Sequence, residues 1–338
     1  MNNHIVHLLD KWFPDKDNFQ WVLGTIYSTE GSSYRKAGSH MLFNDFGGKL
    51  GLLSGGCLES DLHRKANQAL IENKALKICY DTSSEFDNGF NSGLGCGGIV
   101  NILLQPVNIN NNYLNLESIY RSLKVNIPVI YRQKIPTGSI CEVETGYAPA
   151  PLLSIINKNA ASIEIVGGES WLISSFAPPP LLLVIGGGID ARPLVTIASQ
   201  LGWQVIVADP RPTNARLEHF PSSQKIVKCK INELQNEPWL KYVDAAIVMS
   251  HNVEMDAKAL RVLSGIALEY CALLGPSHRQ DIVLREANIS KADLAFKLAG
   301  PAGLDIGAEL PESIALSILA ECHAAIFNGN AKSLSQIL

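Results

Sequence analysis

Long apolar runs, paired cysteines and blocks of like charge are all missing from this chain of 338 residues, and each absence removes a class of function. No apolar run approaches the roughly 18 residues that a membrane-spanning helix needs. The opening segment, Met1 to His7, has no basic stretch followed by an apolar core, so a cytoplasmic protein without contact to a membrane is expected. The seven cysteines, at 57, 79, 96, 141, 229, 271 and 322, are odd in number and form no CxxC pair. That spacing argues against a zinc site or a disulfide framework and for reduced thiols. The 28 basic and 32 acidic residues, net charge -4, are interspersed, so no electrostatic footprint for nucleic acid exists.

What is present divides in two. A chain of this length suggests two domains at roughly 150 residues each. The stiff stretch Ala177-Pro-Pro-Pro180 cannot continue a helix or a central strand and is expected as the connector between residues 1–176 and 181–338. The first part reads as α+β. It has a short helix over residues 1–13, a strand from Phe19 to Ser28, and strands from His40 to Asn44 and Lys49 to Leu53 around the hairpin signal Asp45-Phe-Gly-Gly48. A helix with Leu58, Leu62, Ala66, Ala69 and Leu70 on one face follows, then strands at Ala75 to Asp81 and Ile99 to Pro106.

Three stretches of this part carry chemistry. Glu30 to Gly38 holds Ser32, Ser33 and Arg35, small and basic groups suited to gripping an anion, although a solvated loop has the same composition. Gly55 and Gly56 precede Cys57, which the pattern places in the first turn of the helix. A helix amino terminus favours a thiolate that can ligate a soft metal or exchange sulfur, and the alternative is a small buried thiol. Cys96 stands among glycines, Gly97 and Gly98 included, beyond a polar loop at residues 82–93, where a tight bulge is the competing explanation.

The second part reads as α/β with a Rossmann-like parallel sheet. Leu181 to Ile185 is a strand apolar on both faces. Gly186, Gly187 and Gly188 follow, then a helix through Ala191, Leu194, Val195, Ala198 and Leu201, and a second strand ending at Asp209. This succession predicts a phosphate held on bare N–H groups at a helix amino terminus, with Asp209 accepting a ribose hydroxyl. NAD(P) or another nucleotide would suit it, and a merely tight loop is the alternative. Arg211 could pair with a phosphate at the ribose end. Further strands at Ile226 to Cys229, Ala245 to Ser250 and Leu268 to Leu274 give the order 3-2-1-4-5. Loops at the carboxyl ends bring in His251 as a proton carrier and Arg279 as an anion clamp; a capping role suits His251 equally. Asp305, between Gly303 and Gly307, is a candidate polar ligand. A helix from Pro311 to Phe327 closes the pattern, with Cys322 inward.

The motifs Glu30-Gly-Ser-Ser-x-Arg-x-x-Gly38-x-x-Met41, Ser54-Gly-Gly-Cys-Leu-Glu59 and Cys96-Gly-Gly98 resemble the amino-terminal domain of the XdhC/CoxI family of xanthine dehydrogenase accessory factors. The Gly186 turn, Ala208-Asp-Pro-Arg-Pro212, Leu273-Leu-Gly275 and Gly303-Leu-Asp-Ile-Gly-Ala308 are similar to its carboxyl-terminal domain. The resemblance covers nearly the whole chain. It implies a cofactor-binding chaperone more than a turnover enzyme. Such a chaperone binds molybdenum cofactor (molybdopterin), aids its sulfuration with a cysteine desulfurase and inserts it into a xanthine dehydrogenase-type molybdenum hydroxylase. It also implies Cys57 and Cys96 as cofactor or sulfur contacts, and a homodimer. A nicotinamide-dependent oxidoreductase using His251 is the competing expectation from the residues alone.

Overall fold

The computed structural model describes residues 3–56, 58–81, 98–137, 140–141, 145–149 and 161–337. The chain divides into two units, Met1–Pro178 and Pro179–Leu338, with the break inside the proline stretch.

The first unit runs α1 (Ile5–Trp12), β1 (Trp21–Glu30), β2 (His40–Asn44), β3 (Lys49–Gly51), α2 (Glu59–Glu72), β4 (Ala75–Asp81), β5 (Ile99–Val107), α3 (Leu116–Lys124), β6 (Val129–Ile135), β7 (Ile140–Cys141), β8 (Thr145–Pro149), β9 (Ala161–Val166) and β10 (Glu169–Phe176). Two antiparallel sheets form, in the orders β3-β2-β1-β5-β4-β7 and β8-β6-β10-β9. The two-residue period of β1 sets the layers. Val22 and Ile26 meet Leu62, Ala66 and Ala69 of α2 on one side. Trp21 and Leu23 join α1, α3 and the residues Tyr131 and Phe176 of the second sheet on the other. One polar cluster ties the two sheets. The Gln133 amide on β6 donates to Thr25 Oγ1 at 3.0 Å and Gln105 Oε1 at 2.8 Å, while His40 Nε2 lies 3.3 Å from Gln133 Oε1. Burial drives the His40 imidazole down to about 4. His40 is therefore neutral at ordinary pH, and a buried charge is avoided.

The second unit runs β11 (Leu181–Ile185), α4 (Ala191–Gln200), β12 (Gln204–Ala208), β13 (Lys225–Val227), β14 (Ala245–Val248), α5 (Val253–Leu263), β15 (Tyr270–Leu273), α6 (Ser277–Ala287), β16 (Leu298–Ala299) and α7 (Pro311–Ile326). Its parallel sheet has the order β13-β12-β11-β14-β15-β16. Counted within this unit that is 3-2-1-4-5-6, which corrects the five-stranded order expected from the sequence. The added strand is two residues long, pairing Leu298 with Cys271 and Ala299 with Ala272. So short a segment carries no periodicity to read. The unbroken apolar run of β11 is explained by burial on both faces. Leu181, Leu183 and Ile185 face α5 and α6, whereas Leu182 and Val184 face α4 and α7. The chain order reverses direction at β11 and β14, so the loops leaving these two strands open a crevice at the carboxyl edge.

Candidate functional site

In the second unit the crevice is built from three acid–base pairs, one within the loop after β12 and two that each join different elements. Asp209 ends the run after β12. Its two oxygens accept five hydrogen bonds: from Gly187 N–H at 2.8 Å, Arg211 N–H at 2.9 Å, Arg211 Nε at 2.9 Å, Arg211 Nη2 at 2.7 Å and the Asn214 amide at 3.0 Å. Burial alone would raise its pKa, but the Arg211 guanidinium, the two backbone N–H groups and Asn214 hold the carboxyl below its ordinary value of 3.8. Asp209 therefore has no free lone pair for a ribose hydroxyl. The acceptor role read from the sequence is replaced by a structural one, in which Asp209 ties the glycine turn to Arg211.

The glycine turn is likewise less bare than its sequence suggests. Gly186 N–H donates to Ala208 O at 2.9 Å, and Gly187 N–H is spent on Asp209. Gly186 has φ of +117°, and a Cβ there would stand 2.5 Å from Met249 O, so its lack of a side chain serves the fold. Gly188 differs, because the nearest atom to an added Cβ is Asp190 Oδ1 at 2.8 Å, the end of a mobile side chain.

Asp190, just before α4, forms the second pair with His251 after β14: His251 Nε2 lies 2.6 Å from Asp190 Oδ2. His251 holds a left-handed backbone, φ +57°, which is uncommon for a residue with a side chain. The third pair joins α5 to α6. Arg279 Nη2 donates to Asp256 Oδ2 at 2.6 Å, and Ser250 N–H donates to Asp256 Oδ1 at 3.2 Å. In each pair the base is the more exposed member. Side-chain exposures are 0% for Asp209 against 38% for Arg211, 1% for Asp256 against 19% for Arg279, and 20% for Asp190 against 63% for His251. The crevice thus turns its carboxylates inward and offers two guanidiniums and an imidazole, a donor face that suits a phosphate. Asp305 does not join them. It is exposed on the loop between β16 and α7, with no partner among the described residues.

In the first unit, three sequence motifs meet. A Cβ on Gly98, at the head of β5, would fall 2.2 Å from Ser32 O and 2.6 Å from Glu30 O, so only glycine lets β5 start against this loop. Tyr34 lies over Gly55, its Cδ2 3.8 Å from a Cβ position there. The Ser54-Gly-Gly56 segment is held by a reciprocal clamp: Ser54 N–H donates to Glu59 Oε1 at 3.1 Å and Ser54 Oγ to Glu59 Oε2 at 2.7 Å, while Gly56 and Leu58 N–H donate to Ser54 Oγ. Sequence reading missed Ser54 and Glu59 as positioning residues. A serine facing a glutamate across a helix start is the signal that could have found them. Within the loop, Ser33 Oγ and Arg35 Nε are buried without a hydrogen-bond partner among the described residues. Such orphans are costly, and an anionic ligand taking both would remove the cost. Gly97, Cys57 and Cys96 lie outside the described residues. The helix begins at Glu59, with Leu58 as its N-cap. No group of three potential metal ligands occurs among the described residues. Burial pushes the thiols of Cys271 and Cys322 well up, which keeps both as inert packing groups.

The crevice makes its two outer glycines unequal. Gly186→Ala should cost about 1–3 kcal/mol of stability in urea unfolding, from its backbone conformation alone. Gly188→Val should leave stability nearly unchanged, displacing Asp190 from His251 and blocking phosphate-bearing ligands; equal unfolding of both variants would contradict this. Asp209, with its depressed folded pKa, lends stability that is present above its unfolded pKa and is lost as pH falls through the folded value. Asp209→Asn should lower stability at pH 7 by about 1–3 kcal/mol and flatten the acid limb below about pH 4. An unchanged acid limb would show that the five bonds are not formed.

Comparison with known proteins is consistent along the chain. Residues 16–81 match the XdhC and CoxI family, and residues 182–322 match the XdhC Rossmann domain. A Bacillus subtilis (strain 168) protein named as a probable xanthine dehydrogenase subunit is 31% identical over 323 residues, covering 93% of this chain and 95% of its own. An uncharacterized Escherichia coli (strain K12) protein, YqeB, is 29% identical over 166 residues, which is 48% of this chain and 30% of that protein. A crystal structure described as a xanthine dehydrogenase from Bacillus halodurans superimposes with a TM-score of 0.81 at 30% identity, covering 98% of each chain. With both units matched and a relative aligned along nearly its whole length, the chain belongs to the XdhC and CoxI family.

Proposed function

We propose that this protein is an accessory factor that binds molybdenum cofactor, assists its sulfuration and delivers it to a xanthine dehydrogenase-type molybdenum hydroxylase. The observation that carries this reading is that the Glu30–Gly38 loop, which meets Gly98 and lies against Gly55, holds two buried donors without a partner among the described residues, Ser33 Oγ and Arg35 Nε. The full-length similarity to a protein named for xanthine dehydrogenase supports it. Bound cofactor would supply the redox-active metal and its anionic oxygen groups. This chain would supply the grip: Arg35 and Ser33 donate to those oxygens, Ser32 lines the loop, and the Ser54–Glu59 clamp fixes Gly55 and Gly56 ahead of Cys57. Cys57 and Cys96 are the proposed thiol contacts, with Cys57 also the proposed ligand for the metal or acceptor of sulfur from a cysteine desulfurase. Binding and delivery, without turnover, is the chemistry these groups support. An NAD-dependent oxidoreductase fits less well, since Asp209 is spent on Arg211 and Gly187.

Titration of the purified chain with isolated molybdenum cofactor, followed by absorbance, tests the reading. Saturable binding is expected, and Cys57→Ala should weaken cofactor retention and activation of the partner hydroxylase while the far-ultraviolet circular dichroism stays unchanged. Equal retention and equal activation by that variant would assign Cys57 to packing and move the thiol role to Cys96. A cytoplasmic two-fold homodimer is part of the proposal, being the commonest assembly of soluble chains. Sedimentation at micromolar concentration should therefore show a species near twice the 36.7 kDa chain, and a single species at 36.7 kDa would remove this claim.

A further inference from the structure

We infer that the second unit binds a ribonucleotide bearing a phosphate monoester on its ribose, that Arg211 reads this phosphate, and that the same nucleotide with a free diol is discriminated against. The inference concerns the crevice of the second unit and stands apart from the cofactor-handling loops of the first.

The end of the second strand is where an open α/β sheet meets the ribose of a nucleotide. A free diol presents two O–H donors there and needs an acceptor. The carboxylate at that strand end is Asp209, fully buried and accepting five hydrogen bonds. Freeing one of its oxygens for a diol would strip Gly187, Arg211 or Asn214 of a bond. What remains on the outer side is Arg211. Its Nε and Nη2 are committed to Asp209, and its Nη1 carries two N–H groups that no described residue accepts. A dianionic phosphate takes such N–H groups in charge-assisted bonds, whereas a hydroxyl competing with water gains little.

The surroundings fit an anion. The charges of Asp209, Asp256 and Asp190 all act on Arg211, so its guanidinium lies among the three loops. Each of those carboxylates is already paired with its own base, which limits repulsion of a phosphate. The segment carrying Arg211 is also fixed to the glycine turn, because Ala215 N lies 2.9 Å from where a Gly187 Cβ would stand.

The test is isothermal titration of the full chain with 2′,5′-ADP and with 5′-ADP, which carry the same number of phosphates but differ in whether the ribose keeps its diol. NADP+ and NAD+ serve as a second matched pair. The phosphorylated ribose should bind at least about tenfold more tightly in both pairs, the range expected for bonds to a charged group. Arg211→Gln should erase that preference, weakening the phosphorylated member of each pair by at least about tenfold more than its diol partner. Because this variant leaves Asp209 unpaired, Arg211→Lys, which keeps the charge but not the fork, is measured beside it and should show a reduced preference. Equal or tighter binding of 5′-ADP or NAD+ to the unaltered chain, no binding of any of the four at millimolar concentration, or a preference that survives in a folded Arg211→Gln chain would overturn the inference. None of these outcomes alters cofactor retention by the first unit, so this failure is distinguishable from failure of the accessory reading.

Discussion

The buried carboxylate of Asp209 is the constraint on which the second unit's crevice depends. With no water to solvate it, the charge persists only because Arg211, Asn214 and the backbone of Gly187 supply donors at 2.7–3.0 Å. Those bonds fix the β12 loop to the glycine turn and aim the guanidinium of Arg211 outward. The same arrangement recurs at Asp256 with Arg279, and more openly at Asp190 with His251. The crevice therefore exposes its bases and buries its acids. The character of its surface rests on which member of each pair is exposed, and net charge says little about it.

The first unit solves a different problem. Three loops far apart in sequence have to meet, and two devices bring them together: the absent side chain of Gly98, which lets β5 begin against the backbone of Glu30 and Ser32, and the Ser54–Glu59 clamp, which holds the segment ahead of α2. The first of these loops also holds two buried donors without a partner among the described residues. Ser33 Oγ and Arg35 Nε cost stability as they stand, and unsatisfied groups of this kind cluster at functional sites.

Much of this architecture was legible in the residues. The unbroken apolar run of β11, the helical spacing from Ala191 to Ala198 and the prolines at 178–180 each have one physical solution, and strand-by-strand reading reached the first five positions of the parallel sheet. β16 was not legible, because two residues define no period. Nor were the consecutive left-handed residues Asn112, Tyr113, Leu114 and Asn115, two of which have side chains that disfavour that conformation. The role of Asp209 was misread for a more instructive reason. An acid at the end of a second strand is consistent with a ribose acceptor or an internal salt bridge, and the choice turns on whether Arg211, two residues later, folds back. That is a matter of geometry which composition and spacing do not encode.

The central claim is that the crevice of the second unit receives anions through bases whose acids are buried behind them. It is tested most directly by following the arginine Nε–Hε and histidine ring resonances of the labelled full chain by NMR during titration with inorganic pyrophosphate at constant ionic strength. Saturable shifts confined to Arg211, Arg279 and His251, absent from an equal titration with magnesium chloride, are the predicted result. Shifts produced by the cation instead, or no saturable shift at these three residues, would contradict it.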